Sequence, residues 1–355
     1  MKFLYLPLIL LTVLQPGFGQ NDYRVIGAAH EIEASISSDY YIQAIEDQRA
    51  FQANLGIVNR GLWNDLKRQL ILETGFWDSL LKQMNAWLLP QENAEPIVVK
   101  VQELYLWENR GMKAEQGFIR LKLSFAPAGK EVETVVAVEL SGKETTVLDG
   151  HAKRLEAAFF RCLQQYDEKR KNDGEGIASV FSAQDGAGRA DILAARNFLN
   201  LWKGELFPAS GSLRNKGVLF RYQLYRRGAP AEQPYYALLR KNKLYLWAGN
   251  YTGAGEYYTQ VLEQGRYLFL IDELFIKQGS ELAAKLGEAT SRVGILIDME
   301  TGAPQIVDDE LMEKLMKPYP ALSEKYLFKD ILKFPFQLTR VQNVIAEINQ
   351  MEPKN

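Results

Sequence analysis

Two pairs of carboxylates are the residues of this chain whose types and spacing come nearest to chemistry: Asp272 with Glu273, and Asp298 with Glu300. Two acids facing each other across a cleft can divide the work of glycoside hydrolysis, one donating a proton and the other serving as base or nucleophile. Spacing also offers each pair a plainer use. Asp298-Met299-Glu300-Thr301-Gly302 is turn chemistry at the end of a strand, and Asp272 and Glu273 sit at a bent strand edge. Other reactive groups are few. His30 and His151 are the only histidines and stand without HxxxH or CxxC company, so the convergent ligands of a zinc site are missing. His151 reads as a residue that helps a helix start or points to solvent. No loop has the dense acidic spacing of a calcium site, and no Gly-x-Ser-x-Gly elbow occurs. Gly186, Gly188 and Arg189 lack the third glycine and the preceding buried strand of a dinucleotide fingerprint. The reading assigns no catalytic residue, no cofactor and no metal, and leans away from an enzyme.

The most unusual composition is aromatic. Tyr245, Trp247, Tyr251, Tyr257, Tyr258 and Tyr267 are separated by Gly249, Gly253, Gly255 and Gly265. Rings with phenolic hydroxyls stack on sugars and anchor partner proteins, and they also fill sheet cores. Trp247, Tyr251, Tyr257 and Tyr258 are therefore the candidate contacts for a ligand or partner, with the glycine-broken loop from Gly249 to Gly255 as the place to look.

Charge and export narrow the partners. Lysine and arginine total 42 against 44 acidic residues in 355, a formal charge of -2, which lacks the basic excess that neutralises nucleic-acid phosphates. Lys2, the apolar run Phe3 to Leu14, Pro16 and Gly17-Phe18-Gly19 read as a secretory signal peptide over residues 1–19, too short to span a bilayer. No transmembrane segment is expected in the mature chain. Cys162 is the only cysteine, so no intramolecular disulfide can form, and no cysteine follows the signal peptide to accept a lipid anchor. Membrane association is expected only through partners. Asn250-Tyr251-Thr252 matches a glycosylation acceptor, a short pattern that carries little weight. The expected address is the bacterial periplasm, with an extracellular location as the alternative.

The elements that must position these residues are read from periodicity. Ile119, Leu121, Leu123 and Phe125 alternate with Arg120, Lys122 and Ser124, the period of a strand with one buried and one wet face. Thr134, Val136, Val138 and Leu140 form a second such face, while Val135 and Ala137 leave its other side only partly exposed. Ile97, Val99, Val101, Tyr105 and Trp107 share one phase but Leu104 and Leu106 occupy the other, which predicts a bulge or a strand covered on both sides. Asp149 stands as N-cap of a helix whose face is Leu155, Ala158, Phe159, Cys162 and Tyr166. Strands over Tyr40 to Glu46, Leu55 to Val58 and Leu66 to Leu72, and a helix capped by Thr74, faced by Phe76, Leu80, Met84, Trp87 and Leu88 and stopped by Pro90, complete a first domain over 40–166, preceded by a leader over 20–39.

Residues 167–190, with Glu168-Lys169-Arg170-Lys171 and a glycine-rich run, read as a linker. The second domain, 191–355, begins with a helix near Ile192 to Trp202. Strands follow near Val218 to Leu224, Tyr235 to Leu239, Lys243 to Ala248, Tyr267 to Ile276 and Val293 to Met299. Asp308 or Asp309 caps a helix stopped by Pro318 and Pro320, and two closing helices lie near Ser323 to Leu332 and Gln337 to Ile348. The fold class expected is α+β, two domains, each a mainly antiparallel sheet packed with helices.

The order Ile45-Glu46-Asp47-Gln48-Arg49, Leu55-Gly56-Ile57-Val58, the Phe76 helix, the strands from Ile97 to Leu140 and the helix to Tyr166 resembles the small α/β domain of bacterial envelope lipoproteins. These are the outer-membrane-assembly and ABC-transport auxiliary lipoproteins, from which this chain departs in having no lipidation cysteine. The second half resembles uncharacterised exported proteins of Gram-negative bacteria. The resemblance implies a non-catalytic exported envelope protein acting through protein–protein interaction. The alternative is a glycan-binding module or carbohydrate-active enzyme using the aromatic stretch 245–258.

Overall fold

The computed structural model describes residues 23–27, 32, 35–60, 66–110, 115–130, 132–143, 147–172, 191–217, 220–225, 234–251, 255–274 and 292–352. Its first sheet is built around one long strand, β5 (Leu88–Arg110), which pairs antiparallel with β6 (Glu115–Pro127). Beyond β6 lies β7 (Thr134–Lys143), also antiparallel. On its other edge β5 takes two parallel partners in succession, β2 (Ile36–Asp47) along Leu88 to Val101 and β3 (Gly56–Arg60) at Leu106 and Trp107. The sheet is finished by β4 (Leu66–Leu72) and β1 (Tyr23–Ile26). The expected leader thus contributes a strand, β1, and the first expected strand begins at Ile36 rather than Tyr40.

Helices α1 (Phe76–Trp87) and α2 (Val147–Lys171) close one face. Phe76, Leu80, Met84 and Trp87 from α1, and Leu155, Ala158, Phe159, Cys162 and Tyr166 from α2, meet Ile97, Val99, Ile119, Leu121, Leu123, Phe125, Val136 and Val138 in one apolar core. Their spacing is what makes them meet, since strand residues two apart and helix residues three or four apart each share a face. Phe125 and Tyr166 stack at 4.3 Å.

The helix boundaries differ from expectation for local reasons. The N-cap of α1 is Gly75 at φ 78, not Thr74, and α1 ends because Leu88 turns to extended backbone, with Pro90 already inside β5. Helix α2 starts at Val147, two residues before Asp149, and continues to Lys171. The run expected to open a linker is its last turn, where Lys169, Arg170 and Lys171 complement the helix dipole and Arg170 grips Asp39 and Glu95 at 2.8 and 2.9 Å. Residues 173–190 of the expected linker lie outside the described residues.

Strand β5 carries the predicted phase change. Its register with β6 slips between Val101 and Glu103, so Gln102 is the extra residue of a bulge. Before it the odd-numbered residues face the helices; after it Leu104 and Leu106 do, and Glu103, Tyr105 and Trp107 face the other way. Bulge and two-sided cover are both present. At the rim of this region Gly56 has φ 144, and a Cβ there would fall 1.8 Å from the Leu106 carbonyl oxygen, so only glycine lets β3 approach β5.

The second half holds two wholly antiparallel sheets. One runs β10 (Ser212–Asn215), β11 (Arg221–Tyr225), β14 (Tyr258–Gln260), β13 (Lys243–Trp247), β12 (Ala237–Arg240), β8 (Leu193–Ala195), β9 (Phe207–Pro208). The expected helix at 192–202 is therefore β8 followed by α3 (Phe198–Lys203), started by the Asn197 side chain accepting from Asn200 N. Phe220, expected in a strand, sits at φ 56 just before β11. The other sheet is β15 (Tyr267–Glu273), β16 (Arg292–Asp298), β17 (Pro304–Ile306).

A helical layer covers this last sheet. Asp308 caps the Asp309–Met316 helix by accepting from Leu311 N at 2.8 Å, as its spacing predicts. Pro320 does not stop that helix but opens the next, Pro320–Lys325, at a first-turn position where its missing N–H costs nothing. The final helix is Leu338–Met351. The fold is α+β, with mainly antiparallel sheets packed with helices.

Candidate functional site

The two expected acid pairs end up far apart and already engaged. In the β15–β16 ladder Asp298 lies opposite Tyr267, whereas Asp272 stands five residues further along β15. That places the two carboxylates about 17 Å apart at the usual rise per residue, beyond the reach of a glycosidase pair. Within the first pair the members also part company, for Asp272 is 2% exposed while its neighbour Glu273 faces solvent. Asp298 and Glu300 are both held by the Arg266 guanidinium, Asp298 at 3.1 Å. Burial raises the Asp298 carboxyl above its ordinary range despite that cation.

Asp272 is the centre of a closed polar node. Its Oδ1 accepts from Arg221 Nε at 2.9 Å and from the Glu273 backbone N–H at 2.8 Å. Its Oδ2 accepts from the Tyr257 hydroxyl at 2.7 Å and lies 3.0 Å from the Tyr251 hydroxyl, which is also 2.6 Å from Thr259 Oγ1. A carboxylate has about four lone-pair sites, and these partners occupy them. Arg221 also lies over the Tyr257 ring, 4.3 Å from its centroid. Burial, followed by the charge of Asp272, drives both phenols well above the usual tyrosine range, so they stay protonated donors. The arrangement ties β11, β14 and β15 together and leaves no acceptor for proton transfer.

The aromatic candidates are distributed accordingly. The structure brings Tyr251 and Tyr257 together on Asp272. Trp247 and Tyr258 meet edge to face at 5.1 Å, with the Tyr258 hydroxyl accepting from the Tyr235 N–H at 3.0 Å. Tyr251 and Tyr258 are buried, correcting the expectation that they face a ligand; only Trp247 and Tyr257 are half-exposed. The loop beginning at Gly249 is pinned, since Lys67 Nζ donates to the Gly249 carbonyl and Asn250 Nδ2 to the Tyr236 carbonyl. Residues 252–254 of that loop lie outside the described residues. Cys162 is fully buried, and burial pushes its thiol up, away from the reactive thiolate. His151 is neither a cap nor solvent-facing: it is fully buried in α2 with Nε2 3.1 Å from Glu108 Oε1. Among the described residues no cluster of acids, histidines and cysteines is arranged to hold a metal.

The surface with a distinctive arrangement is the face of the first sheet turned away from α1 and α2. Its two ends differ. Past the bulge, Tyr105, Trp107 and Phe118 enter a core with Phe51, Phe198, Leu246, Leu268, Ile295 and Ile297, so residues from both sides of the 167–190 segment share one apolar cluster. Trp107 stacks on Phe118 at 5.0 Å and Phe51 meets Phe198 and Trp202 edge-on. At the bulge an ion-pair belt marks the boundary, with Glu103 held by Arg120 at 2.8 Å and by Lys203 at 2.5 Å. Burial alone would raise the Glu103 carboxyl, but these two cations hold it below its ordinary value.

Before the bulge the same face is partly open: Ser124, Ala126 and Ala137 are buried, and Val98 and Lys100 are half-buried. Val98 stands between Ala44 and Ala126, and Lys100 between Glu46 and Ser124, with Val135 next in that row. Tyr41, Leu89 and Val135 are 39, 57 and 40% exposed. Lys100 and Glu133 form an ion pair at 2.5 Å across it. On β7 this side is partly covered, as its apolar residues predict: Ala137 is buried and Val135 exposed.

Comparison with known proteins adds a partial family match. Residues 231–331 match the model of a family of unknown function (DUF6563), a stretch that includes the aromatic candidates and both acid pairs. A solved structure described as that of an uncharacterized protein aligns with 44% of this chain and 99% of its own at 10% identity, with a TM-score of 0.23. No curated protein matches.

Proposed function

We propose that this chain is a non-catalytic exported protein of the bacterial cell envelope, resident in the periplasm, that works by binding another envelope protein through the open end of its first sheet. The observation that carries the reading is the contrast along one sheet face. One end is buried against the second half of the chain, while the other leaves Tyr41 and Val135 exposed on either side of the half-buried Val98 and the Lys100–Glu133 ion pair. An apolar patch with a polar rim is the usual anatomy of a protein interface. The signal-peptide pattern at 1–19 and the likeness to envelope lipoprotein domains support the address. The saturation of Asp272 supports a binding role over a catalytic one.

A photocrosslinking residue placed at Tyr41 or Val135 in the native envelope should give one discrete adduct, and the same residue at Glu310 on the far helical layer should not. Equal adducts from both positions, or none from the sheet, would remove the reading. The glycan-binding alternative rests on Trp247 and Tyr257, the two candidate rings that remain half-exposed. A glycan array on which the chain binds nothing, or binds equally after Trp247→Ala, disposes of it.

A further inference from the structure

A second exposed apolar surface lies between the Pro320–Lys325 and Leu338–Met351 helices, at the opposite end of the chain from the open sheet face. Leu327 and Phe336 are each 77% exposed and Phe334 is 46% exposed, with the Phe334 and Phe336 rings 5.7 Å apart across Pro335. The backbone that carries them is fixed. Asp309 accepts from the N–H groups of Asp330 and Ile331 at 2.6 and 2.9 Å, Gln337 Nε2 donates to the Lys329 carbonyl at 2.7 Å, and Ile331 is buried as an anchor. The two rings are thus held outward by a folded loop.

Their surroundings are cationic. From Glu324 to Arg340 there are four cations, Lys325, Lys329, Lys333 and Arg340, against Glu324 and Asp330. Lys333 pairs with Asp330 at 3.0 Å, and Lys325 with Glu347 of the last helix at 2.7 Å. Lys329 and Arg340 have no carboxylate within ion-pair distance among the described residues, and Arg340 lies 5.6 Å from the centroid of the Phe328 ring. Exposed phenyl rings framed by lysine and arginine are the composition that seats a protein in a lipid headgroup layer, rings in the acyl boundary and cations on anionic phosphates.

We infer that the 327–340 loop docks this protein on the surface of an anionic lipid bilayer, without crossing it. No helix among the described residues is long and apolar enough to span a membrane. Association here is direct, in contrast to the partner-only attachment that the missing lipidation cysteine implies. The charge pattern favours lipid over a protein pocket, because a bilayer offers many anionic headgroups to Lys329 and Arg340, which pair with no carboxylate among the described residues.

The test is cosedimentation of the full chain with vesicles of phosphatidylcholine mixed with phosphatidylglycerol, against vesicles of phosphatidylcholine alone. The chain should pellet with the mixed vesicles, and F334S/F336S should lower partitioning at least about tenfold. K329E and R340E should each lower it about fivefold on mixed vesicles only. The substituted rings are exposed, so thermal unfolding should be unchanged. Should the double variant fail to fold, F336S alone carries the test. The proposal is overturned if the chain stays in the supernatant or if F336S pellets as the unsubstituted chain does. It is overturned equally if F336S only converts a dimer to a monomer, which would assign the rings to a second copy.

Discussion

One face of the seven-stranded sheet is used in two ways, and a single residue divides them. Beyond Gln102 the outward side chains are Tyr105, Trp107 and Phe118, all at least nine-tenths buried against the second half. Before it they are Val98, Lys100, Ser124 and Val135, of which only Ser124 is fully buried and Val135 is exposed. Strands β5, β6 and β7 run through both ends, while the other neighbour of β5 changes from β2 to β3. That change and the larger side chains beyond Gln102 separate the two ends, and the bulge falls where the internal interface stops.

A one-residue insertion after Leu104 attacks that division directly. With the added residue, Tyr105 and Trp107 would turn toward α1 and α2, and Leu106 outward, as any one-residue slip in a strand requires. Two large aromatics would leave their core and enter one packed for leucine. The insertion should abolish the cooperative thermal transition seen by circular dichroism. An insertion variant melting within a few degrees of the parent would show that strand phase does not assign these residues to the two faces.

Next in size is Trp107→Ala. Trp107 is 7% exposed and stacked on Phe118, and truncating such a residue costs about 3 to 5 kcal/mol. Urea denaturation should show that loss for Trp107→Ala. A loss under about 1 kcal/mol would mean that the shared core contributes little to holding the halves together.

What the sequence revealed of this comparison follows from the range of each signal. The inner face was legible because alternation in β6 and helical spacing in α2 are local, and every residue of Ile119, Leu121, Leu123 and Phe125 is fully buried. The phase conflict at Leu104 and Leu106 was legible too, as a bulge or double cover. Which second-half residues would cover Tyr105 and Trp107 was not, because Phe198, Leu268 and Ile295 converge from distant positions that no periodicity links. The aromatic stretch misled for the same reason. Tyr251 and Tyr257 look like ligand contacts until Asp272 arrives from β15 to take their hydroxyls and Arg221 from β11 to cover the Tyr257 ring. The cap at Asp308 succeeded because a cap needs only three residues.

The ion-pair belt at the boundary predicts a smaller and pH-dependent effect. Glu103→Gln removes the nearer carboxylate of Arg120 and Lys203, leaving them Glu205 at 3.4 and 3.7 Å, and should cost about 2 kcal/mol at neutral pH, the range for hydrogen bonds to charged groups. Because Glu103 is held below its ordinary value near 4.5, its contribution is full above that value. It is lost as pH falls through the lower folded value. Urea midpoints of the parent should therefore drop more steeply on acidification than those of Glu103→Gln, the two curves converging in acid. Parallel curves would show that Glu103 is not what senses the pH.

The smallest expected change in stability tests the open end. Tyr41→Ser and Val135→Ser remove apolar surface that water already reaches, so each should shift unfolding by no more than about 0.5 kcal/mol. If the face is kept apolar for a partner, the same substitutions should eliminate the envelope adduct formed from a probe at Val98, which lies on that face between Ala44 and Ala126. Stability and binding would then separate at one end of the sheet and move together at the other, where Trp107 serves the fold. A loss of several kcal/mol on Tyr41→Ser would place that ring in a core and erase the distinction between the two ends.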